Sequence, residues 1–211
     1  YETLNFGGYW NWDPVENAVY VPWLFLVASL HSIILTQKNN QYYKMSLILS
    51  VVSFILILYS TFLTRSGILG DSSVHSFTDL GLSGQLLIYL FTFISISLYL
   101  FLIRWKNIPF SEKEAKVYNA DFWLYIGVFI LILMSFQVIF PTSIPVYNAI
   151  VEFFGGFSNL APPIEKEIFY SSAQIWFASS IAVLSSIAQV LWWRGKEKKE
   201  KFLLFSNSLI M

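Results

Sequence analysis

The residues best suited to ligand chemistry are two histidines and a short run of tryptophans. His31 lies inside a stretch without charged residues, and His75 lies in a polar segment that follows Gly67 and Gly70. The chain has no cysteine, and isolated histidines do not match the closed tetrahedral ligand set that zinc prefers. They do suit axial ligation of haem iron, because the porphyrin supplies the other four donor atoms.

Each of these polar residues also has a plainer interpretation. A neutral His31 could hydrogen-bond to a serine or a carbonyl of a neighbouring helix, although a titratable ring within a membrane is by default a candidate functional residue. His75 could be a solvated loop residue. Arg65, just before that loop, could pair with an anionic ligand group such as a carboxylate, or it could anchor the helix end or pair with Asp71 or Asp79. The residue types alone leave these alternatives open.

The tryptophans are dense near the start of the chain. Tyr9, Trp10 and Trp12 place three large rings within four residues, and Trp23 follows. Such rings could stack a large planar ligand, but tryptophan and tyrosine also gather at membrane interfaces. The next residues, Asp13 to Glu16, predict a helix start, with an aspartate N-cap, a proline at the first helical position and a glutamate that reaches back to the cap. Capping alone would account for Glu16.

These residues must be positioned by membrane helices. Hydrophobic residues make up 56% of the 211 residues and charged residues only 12%. Five stretches contain no Asp, Glu, Lys or Arg, and each is long enough to cross the roughly 30 Å hydrocarbon core as a helix. They are 17–37, 45–64, 80–103, 122–151 and 168–193. We therefore predict an all-α integral membrane protein with about five transmembrane helices, at approximately 16–37, 45–64, 85–104, 122–140 and 172–193.

The basic residues predict the orientation of these helices. Eleven of the thirteen fall on one side of an alternating five-span topology: Lys38, Lys44, Arg104, Lys106, Lys113, Lys116, Arg194, Lys196, Lys198, Lys199 and Lys201. The positive-inside rule places that side in the cytoplasm. The amino-terminal segment and the loops 65–84 and 141–171 then face outward. The net charge of zero gives no reason to expect nucleic acid as a partner.

Five segments together resemble a known family. They read GGYWNWDPVENA at 7–18, PWL at 22–24, TFLTRSGIL at 61–69, VHSF at 74–77 and, more weakly, APP at 161–163. The first is similar to the tryptophan-rich WWD signature of haem-handling proteins. Its wording, with the next three segments, resembles the CcmF branch of cytochrome c maturation system I, although Asn11 stands where the family often has an aromatic residue.

The resemblance implies a role for each matching position. His31 corresponds to a membrane histidine that ligates a b-type haem, and His75 to an outer histidine that ligates the substrate haem. Trp10, Trp12 and Asp13 correspond to the platform that receives this haem, and Trp23 and Arg65 lie in matching segments. In the family each haem has a second histidine ligand, which is absent here. We therefore expect a fragment of a longer protein, one that is not competent alone.

The implied organisation and function follow from the same resemblance. Residues 1–23 would be the WWD haem-reception segment, 16–193 the transmembrane bundle, and 194–211 a basic cytoplasmic segment leading into a further, truncated span. The implied activity is covalent attachment of haem to apocytochrome c outside the membrane, as a haem lyase with haem-delivery and thiol-reducing proteins as partners. The alternative is a haem carrier or exporter of the CcmC or CcsA type. The implied location is the bacterial inner membrane with the WWD loop in the periplasm, or else the mitochondrial inner membrane.

Overall fold

Six α-helices account for most of the structure, a computed structural model that describes residues 9–37, 39–70, 72–73, 75, 81–110 and 120–208, with only the backbone described for 196–208. They are α1 (Pro14–Thr36), α2 (Tyr43–Arg65), α3 (Ser83–Arg104), α4 (Ala120–Thr142), α5 (Ile144–Phe153) and α6 (Lys166–Ser208). Short 3-10 turns at Asn40–Tyr42 and Trp105–Asn107 precede α2 and follow α3. Predictions that concern 1–8, 38, 71, 74, 76–80, 111–119 or 209–211 lie outside the described residues.

The prediction of five membrane spans is confirmed. Helices α1, α2, α3, α4 and the first thirty residues of α6 are long and apolar enough to cross a bilayer. The boundaries of α1 to α4 each fall within two residues of those predicted. The chain is an all-α membrane protein.

Two boundaries were predicted wrongly, both near the carboxyl-terminal span. The segment 141–171 is not a simple loop, because it contains α5 and the first residues of α6. Proline in the first turn of α5 supplies a φ already suited to a helix. Helix α6 begins at Lys166 rather than near 172, and it continues to Ser208 rather than ending near 193. The basic stretch after 193 is rich in lysine and glutamate, which favour helix, so leaving the apolar region does not end the helix.

Helix α1 lies at the centre of the bundle. Within the described residues it packs against α2 on one side and α4 on the other, with α3 beyond α2 and α6 beyond α4. Small residues contribute to the contact with α2, where the hydroxyls of Ser29 and Ser50 lie 2.7 Å apart. Small and hydroxylated side chains let membrane helices approach closely. Because α1 is central, side chains along it can reach both flanking helices.

The segments predicted to share one side of the membrane do meet at one end of the bundle. The Trp12 indole N–H donates to the Ser171 hydroxyl at 2.9 Å, and the Lys166 ammonium donates to the Ser72 carbonyl at 2.9 Å. At the opposite end the Lys44 ammonium lies 4.6 Å from the ring centre of Trp105. We call the first end, formed by the start of α1, the α2–α3 loop and the start of α6, the outer end.

Candidate functional site

The start of α1 is capped as its sequence predicts. One carboxylate oxygen of Asp13 accepts from the Val15 N–H at 2.9 Å. The Glu16 carboxylate accepts from the N–H groups of Asp13 at 3.2 Å and Asn11 at 3.0 Å. These bonds satisfy helix N–H groups that would otherwise have no partner. The segment carrying the two tryptophans is therefore tied to the first turn of α1.

The aromatic residues near the start of α1 form a cluster around Tyr20, which the sequence did not single out, and Trp10, Trp12 and Tyr20 meet edge to face rather than as one flat surface. The Tyr20 ring lies 5.7 Å from Trp10, 5.8 Å from Trp12 and 5.9 Å from Trp23, measured between ring centres. Trp12 also stacks on Tyr170 of α6 at 5.3 Å. Trp10 and Trp23 are more than a third exposed, whereas Trp12 is half-buried. Trp10 and Trp23 are thus accessible to a ligand, whereas Trp12 is held by its contacts with α6.

The backbone of Trp12 adopts a rare conformation. Its φ of 53° lies in the left-handed region, which a bulky residue seldom occupies. Such strain costs on the order of 1–3 kcal/mol and persists only where neighbours enforce it. Here the buried Asn17 amide donates to the Trp12 carbonyl at 3.2 Å, while Ser171 holds the indole N–H. Asn17 also donates to Thr142 of α4 at 3.2 Å, so the strained residue is fixed to the bundle core.

His75 lies directly beside the start of α1. Its Nδ1 atom is 3.5 Å from Oδ1 of Asp13, and its backbone N–H donates to the Ser73 hydroxyl at 3.1 Å. The Ser73 hydroxyl donates in turn to Oδ1 of Asp13. The His75 side chain is one quarter exposed. Arg65 is exposed at the end of α2, at the base of the same loop.

His31 lies elsewhere, in a groove between α1, α4 and α6. The groove has a volume of about 410 Å³ and mostly apolar walls, with Trp123, Gly127 and Met134 on the α4 side. The Nδ1 atom of His31 lies 2.7 Å from the Val27 carbonyl, one turn earlier in α1. That contact favours a proton on Nδ1 and leaves the lone pair of Nε2 for a ligand. Ligand sites commonly have volumes of roughly 300–1,000 Å³ and apolar walls, which this groove matches.

The structure therefore divides the predicted site residues into two groups. Trp10, Trp12, Asp13 and His75 come together at the outer end, and Arg65 lies at the base of their loop. His31 lines the groove instead. Trp23 belongs to both groups, because it stacks on Tyr20 and also lines the groove.

Several residues of these sites were not anticipated from the sequence. They are Ser73, Tyr20, Tyr170, Ser171 and the α4 wall of the groove. Only Tyr20 carried a signal, since it is an aromatic residue that lies between Trp12 and Trp23 in the sequence. The others depend on which segments meet in three dimensions.

Known proteins resemble this chain in sequence. Residues 1–69 match the sequence model of the family described as "Cytochrome C assembly protein". The chain is 32% identical over 195 residues to the cytochrome c-type biogenesis protein CcmF of Haemophilus influenzae, covering 92% of this chain. It is 29% identical over its whole length to CcmF of Escherichia coli K12. The chain belongs to the CcmF-type cytochrome c biogenesis proteins.

This CcmF-type chain spans about a third of the length of those relatives, 28% of the first and 32% of the second. A further similar protein is the cytochrome c-type biogenesis protein CycK of Bradyrhizobium diazoefficiens, 41% identical over 127 residues that cover 56% of this chain and 19% of CycK. No solved structure matches the chain.

Proposed function

We propose that this chain handles haem during cytochrome c maturation through two separate sites, an outer site at His75 and a membrane site at His31. The observation that carries the proposal is the position of His75 beside Asp13, the residue that follows Trp12 of the Trp10–Trp12–Tyr20 cluster in the sequence. One imidazole beside a set of large rings suits a flat, metal-bearing ligand, because the rings support its face and the imidazole binds its metal.

At the outer site the substrate is haem, and the task of the protein is to hold it. His75 would bind the iron, Trp10 and Trp12 would support the ring system, and Arg65 would pair with a haem carboxylate. The fixed backbone of Trp12 and the cap at Asp13 limit how far these groups can move relative to one another. Holding reactants in a fixed relation is itself a large source of rate enhancement.

At the membrane site we propose a resident b-type haem in the groove that His31 lines, which has a volume of about 410 Å³ and mostly apolar walls. His31 would hold the iron through Nε2, and apolar side chains of α4 and α6 would contact the porphyrin. A b-type haem bound there would supply electron-transfer chemistry.

The proposed reaction attaches the outer haem covalently to apocytochrome c. Each thiol of a Cys-x-x-Cys-His motif adds across one vinyl double bond, so that sulfur bonds to the carbon nearest the porphyrin and a hydrogen ends on the terminal carbon. The addition changes no net oxidation state, provided that the thiols arrive reduced. Haem-delivery and thiol-reducing proteins would therefore act as partners of the whole protein.

We place this reaction at the periplasmic face of a bacterial inner membrane. Lys44 and Trp105 mark the end of the bundle opposite His75, and the basic residues concentrate on that side. Because basic loops remain in the cytoplasm, the outer end would face the periplasm.

The test is to purify the whole protein and supply apocytochrome c, haem and a thiol reductant. We expect a haem absorption spectrum from the protein and a thioether-linked product with apocytochrome. Haem binding without thioether product would favour a carrier that presents haem but forms no bond. A protein free of haem under all loading conditions would contradict both functions.

A further inference from the structure

A single carboxylate oxygen joins the start of α1 to the loop that carries His75. Oδ1 of Asp13 accepts from the Val15 N–H at 2.9 Å and from the Ser73 hydroxyl, and the Nδ1 atom of His75 lies 3.5 Å away. Ser73 is sixty residues distant from Asp13 in the sequence. The Asp13 side chain is only 9% exposed, against 25% for His75. The cap of a membrane helix and the support of the histidine loop thus share one atom.

Helix capping does not explain why this residue should be charged. Asparagine and serine cap helices about as well as aspartate, because each offers an oxygen to the first free N–H groups. The second bond of the capping box already comes from Glu16. What an aspartate adds is a full negative charge, and the group that lies 3.5 Å from it is the Nδ1 atom of His75.

The backbone contacts support the same arrangement. The Ser73 hydroxyl receives the His75 backbone N–H at 3.1 Å while it donates to Asp13. The main chain of His75 is thus connected to the Asp13 carboxylate through Ser73, and the ring of His75 lies beside the same carboxylate. With Nδ1 facing Asp13, the opposite ring nitrogen, Nε2, is directed away from it.

We propose that Asp13 is a positioning residue for His75, a role that rests on the proposed function of the outer site. At 3.5 Å the carboxylate makes no hydrogen bond to Nδ1, but with haem bound it would accept the Nδ1 proton, which would fix the tautomer and orientation of the ring and make Nε2 a stronger donor to iron. Carboxylates behind metal-bound histidines act in this way, and the apo distance commonly shortens once the ligand is bound. Asp13 touches neither the iron nor the thiols.

The experiment replaces the charge and keeps the cap. Asp13→Asn in the whole protein preserves an N-cap oxygen, so the helix and the thermal unfolding midpoint should be unchanged. Loss of such a supporting partner typically lowers metal affinity about 10–100-fold, and we expect a loss of that size for haem at the outer site. The midpoint potential of the outer haem should also rise, because a less basic imidazole stabilises ferric iron less.

Glu16→Gln is the matched control. It also removes one negative charge from the first turn of α1 and leaves an acceptor oxygen for the cap, but Glu16 makes its bonds to the backbone of Asn11 and Asp13 and not to His75. Haem affinity and potential should match those of the parent protein. Both variants are measured in a His31→Ala background, so that the signal comes from the outer haem. If Asp13→Asn fails to accumulate, Asp13→Ser is measured in its place, since serine is an equally good cap.

Two failures can be told apart. If His75→Ala keeps the outer haem, the proposed function of that site is wrong. If His75→Ala loses the haem while Asp13→Asn and Glu16→Gln both retain parental affinity and potential, His75 is a ligand and Asp13 is only a helix cap. Equal losses in Asp13→Asn and Glu16→Gln would mean a general effect of charge, which also overturns the positioning role.

Discussion

The two histidines should serve two haems that are lost independently. His31 follows Asp13 by eighteen residues in α1, which at about 1.5 Å per residue is about 27 Å along the helix axis. His75 lies beside Asp13. An axial ligand must contact its iron directly, so the two imidazoles cannot bind the same one.

We therefore expect a simple partition of haem content in the whole protein. His31→Ala should remove the membrane haem and leave the outer haem, and His75→Ala should do the reverse. The effects should add in the double variant, because His31 lines only the groove and His75 lies only at the outer end, so each substitution removes the proposed iron ligand of one site. If both sites are filled in the parent, each single variant should retain roughly half of its haem.

The assay is haem per polypeptide, measured from the pyridine haemochrome of purified protein, with absorption spectra of each variant. Leu30→Ala is the control, because Leu30 adjoins His31 in α1 but is 53% exposed and does not line the groove. It should keep both haems. Loss of all haem from either histidine variant, with the protein still folded, would show that the sites are not independent. Full haem in the double variant would refute both ligand assignments.

Two further sets of variants test the surroundings of each site. Gly127 lines the groove with His31, and a Cβ atom added there would meet nothing within 4 Å. Gly127→Leu should therefore exclude the membrane haem without unfolding the bundle, whereas Gly127→Ala should retain the haem. Absorption spectra of both variants check this. Trp12→Phe and Ser171→Ala each remove the same hydrogen bond, so each should lower the free energy of unfolding by about 0.5–1.5 kcal/mol, and the double variant by no more than the larger single loss. Denaturant titration in detergent measures this cycle, Ser172→Ala serves as the control, and strictly additive losses would contradict the shared bond.

Much of the fold could be predicted because the signals are local. Lengths of uncharged sequence located four of the spans to within two residues, and the order Asp13, Pro14, Glu16 located the start of α1. Helix α5 was missed because it is only ten residues long and adjoins a span without any intervening charge. Its proline in the first turn was the available signal.

The arrangement of the sites was less accessible from the sequence. Helix α4 is apolar around its whole circumference, so its composition does not reveal which face turns toward His31. The pairing of Asp13 with Ser73 joins segments sixty residues apart through the conformation of a loop. Residue types could identify His31 and His75 as candidate haem ligands, but only the packing of the helices could show that they lie in different places.

Helix α1 determines how the outer site and the groove are placed relative to each other. The outer site is built on its first turn, the groove is lined by its later turns, and Tyr20 lies between them. Tyr20 touches Trp12 at the outer site and also lines the groove, and its hydroxyl donates to Gln174 of α6 at 3.3 Å. A shift of α1 relative to α4 or α6 would therefore disturb both sites at once. Trp12, whose backbone is strained, is bonded to both neighbouring helices. Asn17 joins its carbonyl to α4, and Ser171 of α6 accepts from its indole N–H. The packing that holds Trp12 in place is thus the same packing that forms the membrane groove.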